Sequence, residues 1–155
     1  MTRVYLSLGS NVDPKKNLRA AIDELRAKFG GVIVSPTYRY PAVGFDGPDF
    51  LNLAAAIDTD LDAAALNEWL HDLENRHGRR RDVPRFSSRT LDIDIVFYGD
   101  AVMNDLQIPR DELKYGFVLQ PMADIASDIE HPVSKRTIGD LWRDSNEAPG
   151  ERAEL

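Results

Sequence analysis

The chain has 155 residues and a formal net charge of −7, with 43% hydrophobic and 29% charged residues. This length suits one domain with a single core, and the acidic balance argues against bulk binding to nucleic acid or anionic membranes. The lack of cysteine excludes disulfides and cysteine-ligated metals, and no apolar run reaches the 18 or so residues of a membrane span. Because the N-terminus also lacks a secretory signal pattern, we expect a cytoplasmic protein.

The N-terminal part of the sequence predicts a strand, a helix and two more strands. Apolar residues alternate over residues 4–8, which is typical of a half-buried strand. Asp13-Pro14 then predicts a helix start, and Gly30-Gly31 predicts its end. Residues 32–40 and 50–57 have the composition and spacing of two further strands.

The C-terminal part predicts a second helix followed by a fourth strand and several short elements. The helix begins at Asp62 and ends at Gly78, and the strand lies around residues 91–97. We predict a last strand at residues 117–120, and residues 146–155 form a polar, flexible tail beyond a single domain of residues 1–145. Further short helices are predicted at residues 122–126 and 137–143.

Two aspartates, Asp92 and Asp94, alternate with apolar residues in the fourth predicted strand. Leu91, Ile93 and Ile95 point to one face of such a strand, and both aspartates point to the other. Magnesium prefers oxygen ligands and is usually held by one or two carboxylates together with substrate phosphates. The pair is therefore a candidate magnesium site, although outward polar residues are also ordinary in antiparallel sheets.

A cluster of arginines precedes the aspartates and locally reverses the sign of an acidic chain. Arginine binds phosphate through paired hydrogen bonds. Alone, such a cluster is usually a solvated surface or a patch for an acidic partner or nucleic acid. Beside a magnesium-type carboxylate pair, it indicates transfer of a phosphoryl or pyrophosphoryl group. Its members are Arg76, Arg79, Arg80, Arg81, Arg85 and Arg89.

This part of the chain resembles the signature of the 6-hydroxymethyl-7,8-dihydropterin pyrophosphokinase family of folate biosynthesis. The matching residues are Glu74, Gly78-Arg79-x-Arg81 and Arg89-Thr90-Leu91-Asp92-Ile93-Asp94-Ile95. Further matches, in the family's order, are Leu8-Gly9-Ser10-Asn11, Phe50-Leu51-Asn52 and Gly116-Phe117-Val118-Leu119-Gln120-Pro121. The resemblance covers residues 3–142. It implies an α+β fold with a ferredoxin-like antiparallel sheet (βαββαβ), helices packed on it and extra C-terminal elements, in agreement with the predicted order of elements.

The resemblance implies that ATP, as co-substrate, gives a pyrophosphoryl group to the hydroxymethyl group of the pterin and leaves as AMP. Asp92 and Asp94 would hold two Mg²⁺ ions, and Asp94 would assist deprotonation of the attacking hydroxyl. Arg79 and Arg89 match catalytic arginines that would stabilise charge on the transferred oxygens. The ATP-binding positions implied in this way are His71, Glu74, Arg81, Arg89, Ile95 and Arg110.

The pterin would lie between an apolar loop and an aromatic ring. The loop at residues 41–49 is rich in apolar residues, which either pack on the core or form a wall for a flat ligand. In the family, the position of Asn52 reads the pterin edge, and an amide supplies both a donor and an acceptor. The pterin-binding positions implied by the resemblance are Tyr40, Pro41, Val43, Gly44, Phe50, Asn52, Phe86, Asp92 and Phe117.

Two positions depart from the family pattern and keep alternatives open. Phe86 stands where the family usually has Trp, and Arg110 stands where it usually has a His that helps to hold ATP. A diverged relative acting on another pterin-like alcohol is one alternative. A ferredoxin-like RNA-binding module is another, although Asp92 and Asp94 would repel RNA phosphates where such modules carry aromatic residues. We expect small-molecule substrates, no nucleic-acid or membrane partner, and a monomer.

Overall fold

The computed structural model describes residues 1–78 and 88–155, which form a six-stranded antiparallel sheet with helices on both faces. The strands are β1 (Thr2–Ser10), β2 (Ile33–Val34), β3 (Thr37–Tyr40), β4 (Phe50–Thr59), β5 (Asp92–Tyr98) and β6 (Glu151–Ala153). The helices are α1 (Pro14–Phe29), α2 (Ala63–Arg76), α3 (Gly116–Ala126) and α4 (Ile138–Arg143), with short 3₁₀ helices at Asn104–Leu106 and Asp111–Lys114.

The first five strands and first two helices follow the predicted ferredoxin-like order. The sheet order is β5-β1-β4-β3-β6, and β2 also pairs with β4. The predicted strand at residues 32–40 is split into β2 and β3 because Ser35 and Pro36 interrupt the ladder. The Ser35 hydroxyl accepts a hydrogen bond from the Ala54 amide at 2.8 Å, and Pro36 has no N–H to donate. The predicted α+β class and ferredoxin-like plan are confirmed.

Two apolar clusters hold the helices against the sheet. The first lies under α1 and α2, and the second lies under α3 and α4. The Asp62 carboxylate caps α2 by accepting a hydrogen bond from the Ala65 amide at 2.8 Å, as the sequence predicts. Asp13 precedes α1 but makes no such side-chain bond. The second cluster's buried residues are Tyr5, Ala54, Ala56, Val96, Phe97, Leu113, Val118, Leu119, Met122, Ala126 and Ile138.

A bulge in β5 changes which face its side chains occupy. Ile95 pairs with Leu6 and Phe97 pairs with Tyr5, so Val96 is the extra residue. Val96 and Phe97 consequently both pack in the second cluster. Before the bulge, β5 has one apolar face and one carboxylate face.

Two sequence predictions about the C-terminal region are wrong. Residues 117–120 are not a strand but part of α3, because Val118, Leu119 and Met122 pack on the sheet at helical spacing. The tail predicted to be flexible contains β6, which pairs with β3 through Thr37↔Ala153. Within the described residues, no helix is both long and apolar enough to cross a membrane.

Candidate active site

The two aspartates of β5 lie side by side on the open face of the sheet's edge. Leu91, Ile93 and Ile95 are buried in the first apolar cluster, as predicted. Asp92 and Asp94 therefore project from the opposite face, where their cross-strand neighbours on β1 are Gly9 and Ser7. These neighbours are small, so the space above the carboxylates is not filled by β1 side chains.

The surroundings of Asp94 favour its protonated form. Burial, and after it the negative charge of Asp92, raise the pKa of Asp94 well above its usual range, while Arg110 acts in the opposite direction. Its side chain nevertheless remains 34% exposed, so an ion from solvent can reach it. A cation between Asp92 and Asp94 would relieve the repulsion that favours the protonated form.

The donor set of this pair fits magnesium. Two carboxylates supply hard oxygen ligands, and no described segment adds a third His, Asp or Glu to make a closed metal cage. Magnesium is usually bound in this way, with few protein carboxylates and the remaining positions given to water and substrate phosphates. The residues present therefore suit an ion that is shared with a bound nucleotide.

Arg110 lies beside the aspartates and along the outer edge of β5. Its Nη2 is 3.8 Å from Asp94 Oδ1, and its Nη1 donates a hydrogen bond to Gln107 Oε1 at 2.9 Å. Its backbone N–H donates to the Val96 carbonyl at 3.1 Å, and its Nε donates to the Ile95 carbonyl at 3.4 Å. The guanidinium is thus held next to the candidate metal site, and its charge opposes that of the carboxylates.

Glu74 joins α2 to the same edge of β5. Its Oε2 accepts a hydrogen bond at 2.8 Å from the backbone N–H of Ile93, and the side chain is buried. In an edge strand this N–H points away from the sheet and needs a partner. Glu74 therefore has a structural contact in addition to its predicted role with ATP. His71 lies one turn earlier on the exposed surface of α2.

Asn11 anchors the segment that carries Arg89. The Asn11 backbone N–H donates to the Arg89 carbonyl at 3.0 Å, and Asn11 Oδ1 accepts from the Arg89 N–H at 2.7 Å. Asn11 Nδ2 also donates to the Pro48 carbonyl at 3.1 Å. One buried amide therefore fixes both Arg89 and the predicted pterin loop to the end of β1. Sequence reasoning gave Asn11 no role beyond its place in a family motif.

Asn52 lies across β1 from Asp92. Gly9 pairs with both residues, so the three stand in one row over three adjacent strands. With about 4.8 Å between strands, the backbones of Asn52 and Asp92 are about 10 Å apart. A Cβ on Gly9 would lie 2.6 Å from Asn52 Nδ2, which shows that the amide leans over the glycine towards the carboxylates.

The Asn52 amide is poised for a ligand. Its Oδ1 is buried and has no hydrogen-bond partner among residues 1–78 and 88–155. A buried acceptor without a partner is unfavourable by about 1–3 kcal/mol, and a flat molecule with N–H groups at its edge would satisfy it. The role of Gly9 was missed, although a glycine inside a strand often marks close approach of a ligand or a side chain.

Three aromatic residues predicted to bind the pterin contact other side chains of the fold. Phe117 stands in the first turn of α3 and stacks on Tyr115, with ring centroids 5.3 Å apart and an interplanar angle of 12°. Phe50 meets the Phe45 ring edge to face at 6.4 Å. Tyr40 is buried, and its hydroxyl donates a hydrogen bond to Gln120 of α3. Tyr40 is thereby a support of the pocket wall as well as a predicted contact.

The predicted loop wall is exposed at several apolar positions. Pro41, Val43 and Gly44 are all exposed, so this part of the loop does not pack down on the core. Gly44 adopts a φ of 83°, which favours glycine. The apolar side chains are therefore available to a ligand. Arg79, Arg81 and Phe86, which the sequence also predicts for the site, lie outside the described residues.

Comparison with known proteins places this geometry in a family. Residues 5–127 match the family model described as 7,8-dihydro-6-hydroxymethylpterin-pyrophosphokinase. A 2-amino-4-hydroxy-6-hydroxymethyldihydropteridine pyrophosphokinase of Pseudomonas aeruginosa is 39% identical over 137 residues, covering 84% of each chain. One of Methylorubrum extorquens is 41% identical over 136 residues, covering 83% of this chain and 85% of that protein.

Solved structures show the same fold. A Plasmodium falciparum HPPK-DHPS chain with pteroate superposes with a TM-score of 0.72 at 13% identity, covering 92% of this chain and 44% of that chain. An HPPK-DHPS structure in complex with substrates gives a TM-score of 0.71 at 12% identity, covering 92% and 42%. The present chain thus corresponds to less than half of these longer chains. The family model and the sequence relatives establish that the chain belongs to the 7,8-dihydro-6-hydroxymethylpterin-pyrophosphokinase family.

Proposed function

We propose that this chain, a pyrophosphokinase by family, transfers pyrophosphate from ATP to the hydroxymethyl group of 6-hydroxymethyl-7,8-dihydropterin in folate biosynthesis. The observation that carries the proposal is the row formed by Asp92, Gly9 and Asn52. It sets a carboxylate pair suited to magnesium beside a buried amide acceptor without a described partner. A metal-bound triphosphate and a flat heterocycle with polar edges are the ligands that such a row fits.

The reaction forms one P–O bond and breaks another. The pterin hydroxyl oxygen attacks the β-phosphorus of ATP, the bond from that phosphorus to the α-phosphate oxygen breaks, and AMP leaves. Asp92 and Asp94 would hold two Mg²⁺ ions, which when bound lower the pKa of the attacking hydroxyl and neutralise phosphate charge. Asp94, as the carboxylate nearest the attacking hydroxyl in this arrangement, would accept the hydroxyl proton.

The remaining residues position the two substrates. Arg89, fixed by Asn11, places a positive charge at the end of the sheet where the triphosphate would lie. Arg110 adds a second positive charge at Asp94. The Asn52 acceptor, which has no partner among the described residues, would bind the pterin edge. Phe117 would stack on the pterin ring, an interaction that adds about 0.5–1.5 kcal/mol beyond area burial.

We further propose that the protein acts as a monomer in the cytoplasm, with these two small molecules as its substrates. Both outer parts of the main sheet are covered within the chain, β5 by Glu74 and Arg110 and β3 by β6. An obligate strand-to-strand interface is therefore not needed to satisfy these backbones. Light scattering of the purified protein distinguishes a monomer of 17.4 kDa from a dimer.

AMP release from ATP and magnesium tests the proposed reaction. We expect AMP to form with 6-hydroxymethyl-7,8-dihydropterin and not with 6-methyl-7,8-dihydropterin, which lacks the attacking hydroxyl. AMP formed equally with both compounds, or only in the presence of a different alcohol, would overturn the assignment. Omission of magnesium is the matched control for the metal site and should stop the release.

A further inference from the structure

The C-terminal segment, defined here as residues 147–153, is integrated into the fold although its sequence is polar. Residues 151–153 form β6 and pair with β3 in register Thr37↔Ala153 and Arg39↔Glu151. The guanidinium of Arg152 lies 5.8 Å from the centroid of the Tyr38 ring. Backbone pairing and a cation–π contact hold this segment at the side of the sheet that bears Tyr40.

Glu147 connects this segment to the start of α3. Its Oε1 accepts a hydrogen bond from the Gly116 N–H at 2.7 Å. Tyr115, the N-cap residue of α3, makes no side-chain cap bond. A carboxylate at the first turn satisfies an N–H that the helix leaves unpaired and also interacts favourably with the helix dipole. The residue that it fixes is the immediate neighbour of Phe117.

Gly150 connects the segment to the second aromatic support of the pocket. Its N–H donates to Gln120 Oε1 at 2.8 Å, and the same oxygen accepts the hydrogen bond of the Tyr40 hydroxyl. The backbone of Gly150 lies so close to Tyr40 that a Cβ there would be 2.7 Å from two ring atoms. Glycine is therefore required for this contact, since any side chain would displace the ring.

We propose that the C-terminal segment is a positioning element of the pterin pocket, in which Glu147 sets the start of α3 and Gly150 sets Tyr40. Phe117 follows directly on the residue that Glu147 holds, and Gln120 lies one turn further along the same helix. None of the residues assigned to ATP lies in this segment. Its effect is on the binding of the pterin, and the inference rests on the proposed function.

Alanine and glutamine variants of Glu147 test the proposal. Loss of a helix cap is worth about 1 kcal/mol, which corresponds to roughly a fivefold change in an equilibrium constant. We therefore expect Glu147→Ala to raise the KM for the pterin about fivefold, with kcat and the KM for ATP unchanged. Glu147→Gln retains an acceptor oxygen and should recover most of the wild-type KM. Glu154→Ala removes the same charge from an exposed position beside the segment and should have no effect.

Substitution of Gly150, with Gly31 as control, provides a second, independent test. Gly150→Ala should raise the pterin KM because its methyl group would displace the Tyr40 ring, whereas Gly31→Ala meets no atom within 4 Å and should behave as wild type. Binding of fluorescent 6-hydroxymethylpterin, titrated directly, must weaken in parallel with the KM changes. Circular dichroism at the assay temperature verifies that each variant is folded.

The outcomes separate this inference from the proposed function. A wild-type chain that turns over the pterin, with Glu147→Ala and Gly150→Ala indistinguishable from it in pterin KM and binding, would overturn the positioning role alone. Equal losses in kcat and ATP affinity would also overturn it, because they would indicate a general structural defect. A wild-type chain without pterin-dependent AMP release would overturn the proposed function and this inference together.

Discussion

Arg110 Nη2 lies 3.8 Å from Asp94 Oδ1, so the candidate metal site already holds one protein cation next to its carboxylates. The guanidinium donates hydrogen bonds to Gln107 and to the Ile95 carbonyl, and the Arg110 backbone N–H donates to the Val96 carbonyl. Its charge stabilises ionised Asp94 against the burial and repulsion that raise the pKa of that carboxyl. A metal ion bound there and Arg110 would repel each other unless phosphate oxygens lie between them.

Replacement of Arg110 should therefore strengthen the binding of Mg²⁺ and weaken the binding of ATP. A partly exposed charge pair is worth up to about 1 kcal/mol, or roughly fivefold in affinity. We expect Arg110→Ala to bind Mg²⁺ about fivefold more tightly without nucleotide at pH 8.5, and to have an ATP KM about fivefold higher. Calorimetry and steady-state kinetics measure the two effects. Arg136→Ala, which removes an exposed arginine paired with Asp144, is the control; an unchanged ATP KM in Arg110→Ala would remove this residue from the nucleotide site.

Asp94→Asn should separate stability from activity. The raised pKa of Asp94 means that the folded state disfavours its ionised form, so the charge at neutral pH destabilises the metal-free fold. The neutral, nearly isosteric amide should raise the Tm of the metal-free protein, while turnover falls by on the order of 10³-fold because several kcal/mol of charge stabilisation are lost. Asp100→Asn, in the exposed turn after β5, is the control. Full turnover in Asp94→Asn would rule out the metal-site assignment.

Gly9→Ala should weaken pterin binding through Asn52. The new methyl group would lie 2.6 Å from Asn52 Nδ2 and push the amide from its position. One or two lost hydrogen bonds at about 1 kcal/mol each correspond to a rise of roughly 5- to 30-fold in pterin KM. The assay is the pterin dependence of AMP release, and Gly31→Ala serves again as the control. The prediction fails if the pterin KM is unchanged while the ATP KM rises.

Glu74→Ala should destabilise the fold independently of ATP. Removal of the carboxylate would leave the Ile93 N–H without its acceptor at a buried edge. The free energy of unfolding should fall by about 1–3 kcal/mol, as measured by urea denaturation without nucleotide. Glu74→Gln keeps an acceptor and should lose less. An Ala variant as stable as wild type would show that this bond contributes nothing to stability.

Alkaline pH should weaken the fold through Tyr40. Burial raises the pKa of Tyr40 to about 12 from a usual value of 10.0. The unfolded chain therefore ionises first, and the stability contributed by the protonated phenol is complete below pH 10 and is lost as the pH rises towards 12. Urea midpoints at several pH values in this window should fall less in Tyr40→Phe than in wild type. Equal slopes would contradict the assigned burial effect.

The sequence predicts the fold well where one periodicity dominates. Leu91, Ile93 and Ile95 alternate with charged residues over a stretch long enough to allow only a strand. The second helix begins after Asp62, as expected, and Asp62 caps it. These local signals agree with the tertiary contacts, so the order of the first five strands and two helices follows from the sequence.

The wrong predictions concern segments whose local sequence pattern is ambiguous or gives no signal. The run from Phe117 to Gln120 is short and apolar, and such a run fits a buried strand as well as a buried helix. Only packing of Val118 and Met122 on the sheet decides for the helix. The residues of β6 are mostly polar and pair through backbone groups. Backbone pairing of this kind produces no hydrophobic pattern from which a strand could be predicted.

The residues that position the site were the hardest to predict from the sequence. Asp92, Asp94 and Asn52 stand out by their chemistry, whereas Asn11 and Gly9 act through position. Asn11 bonds to Arg89, 78 residues away in sequence, and to Pro48, 37 residues away. Gly9 is important because a side chain there would displace the Asn52 amide. Such roles depend on which strands become neighbours, and this is not visible in residue type.

The pairing of β6 with β3 also bears on solubility. Without residues 151–153, the backbone of Thr37–Tyr40 would be an open edge with strongly β-forming side chains. Open edges of this kind pair with other molecules and lead to aggregation. The short final strand presents the charged residues Glu151 and Arg152 instead, so the last residues of the chain protect the sheet from intermolecular association.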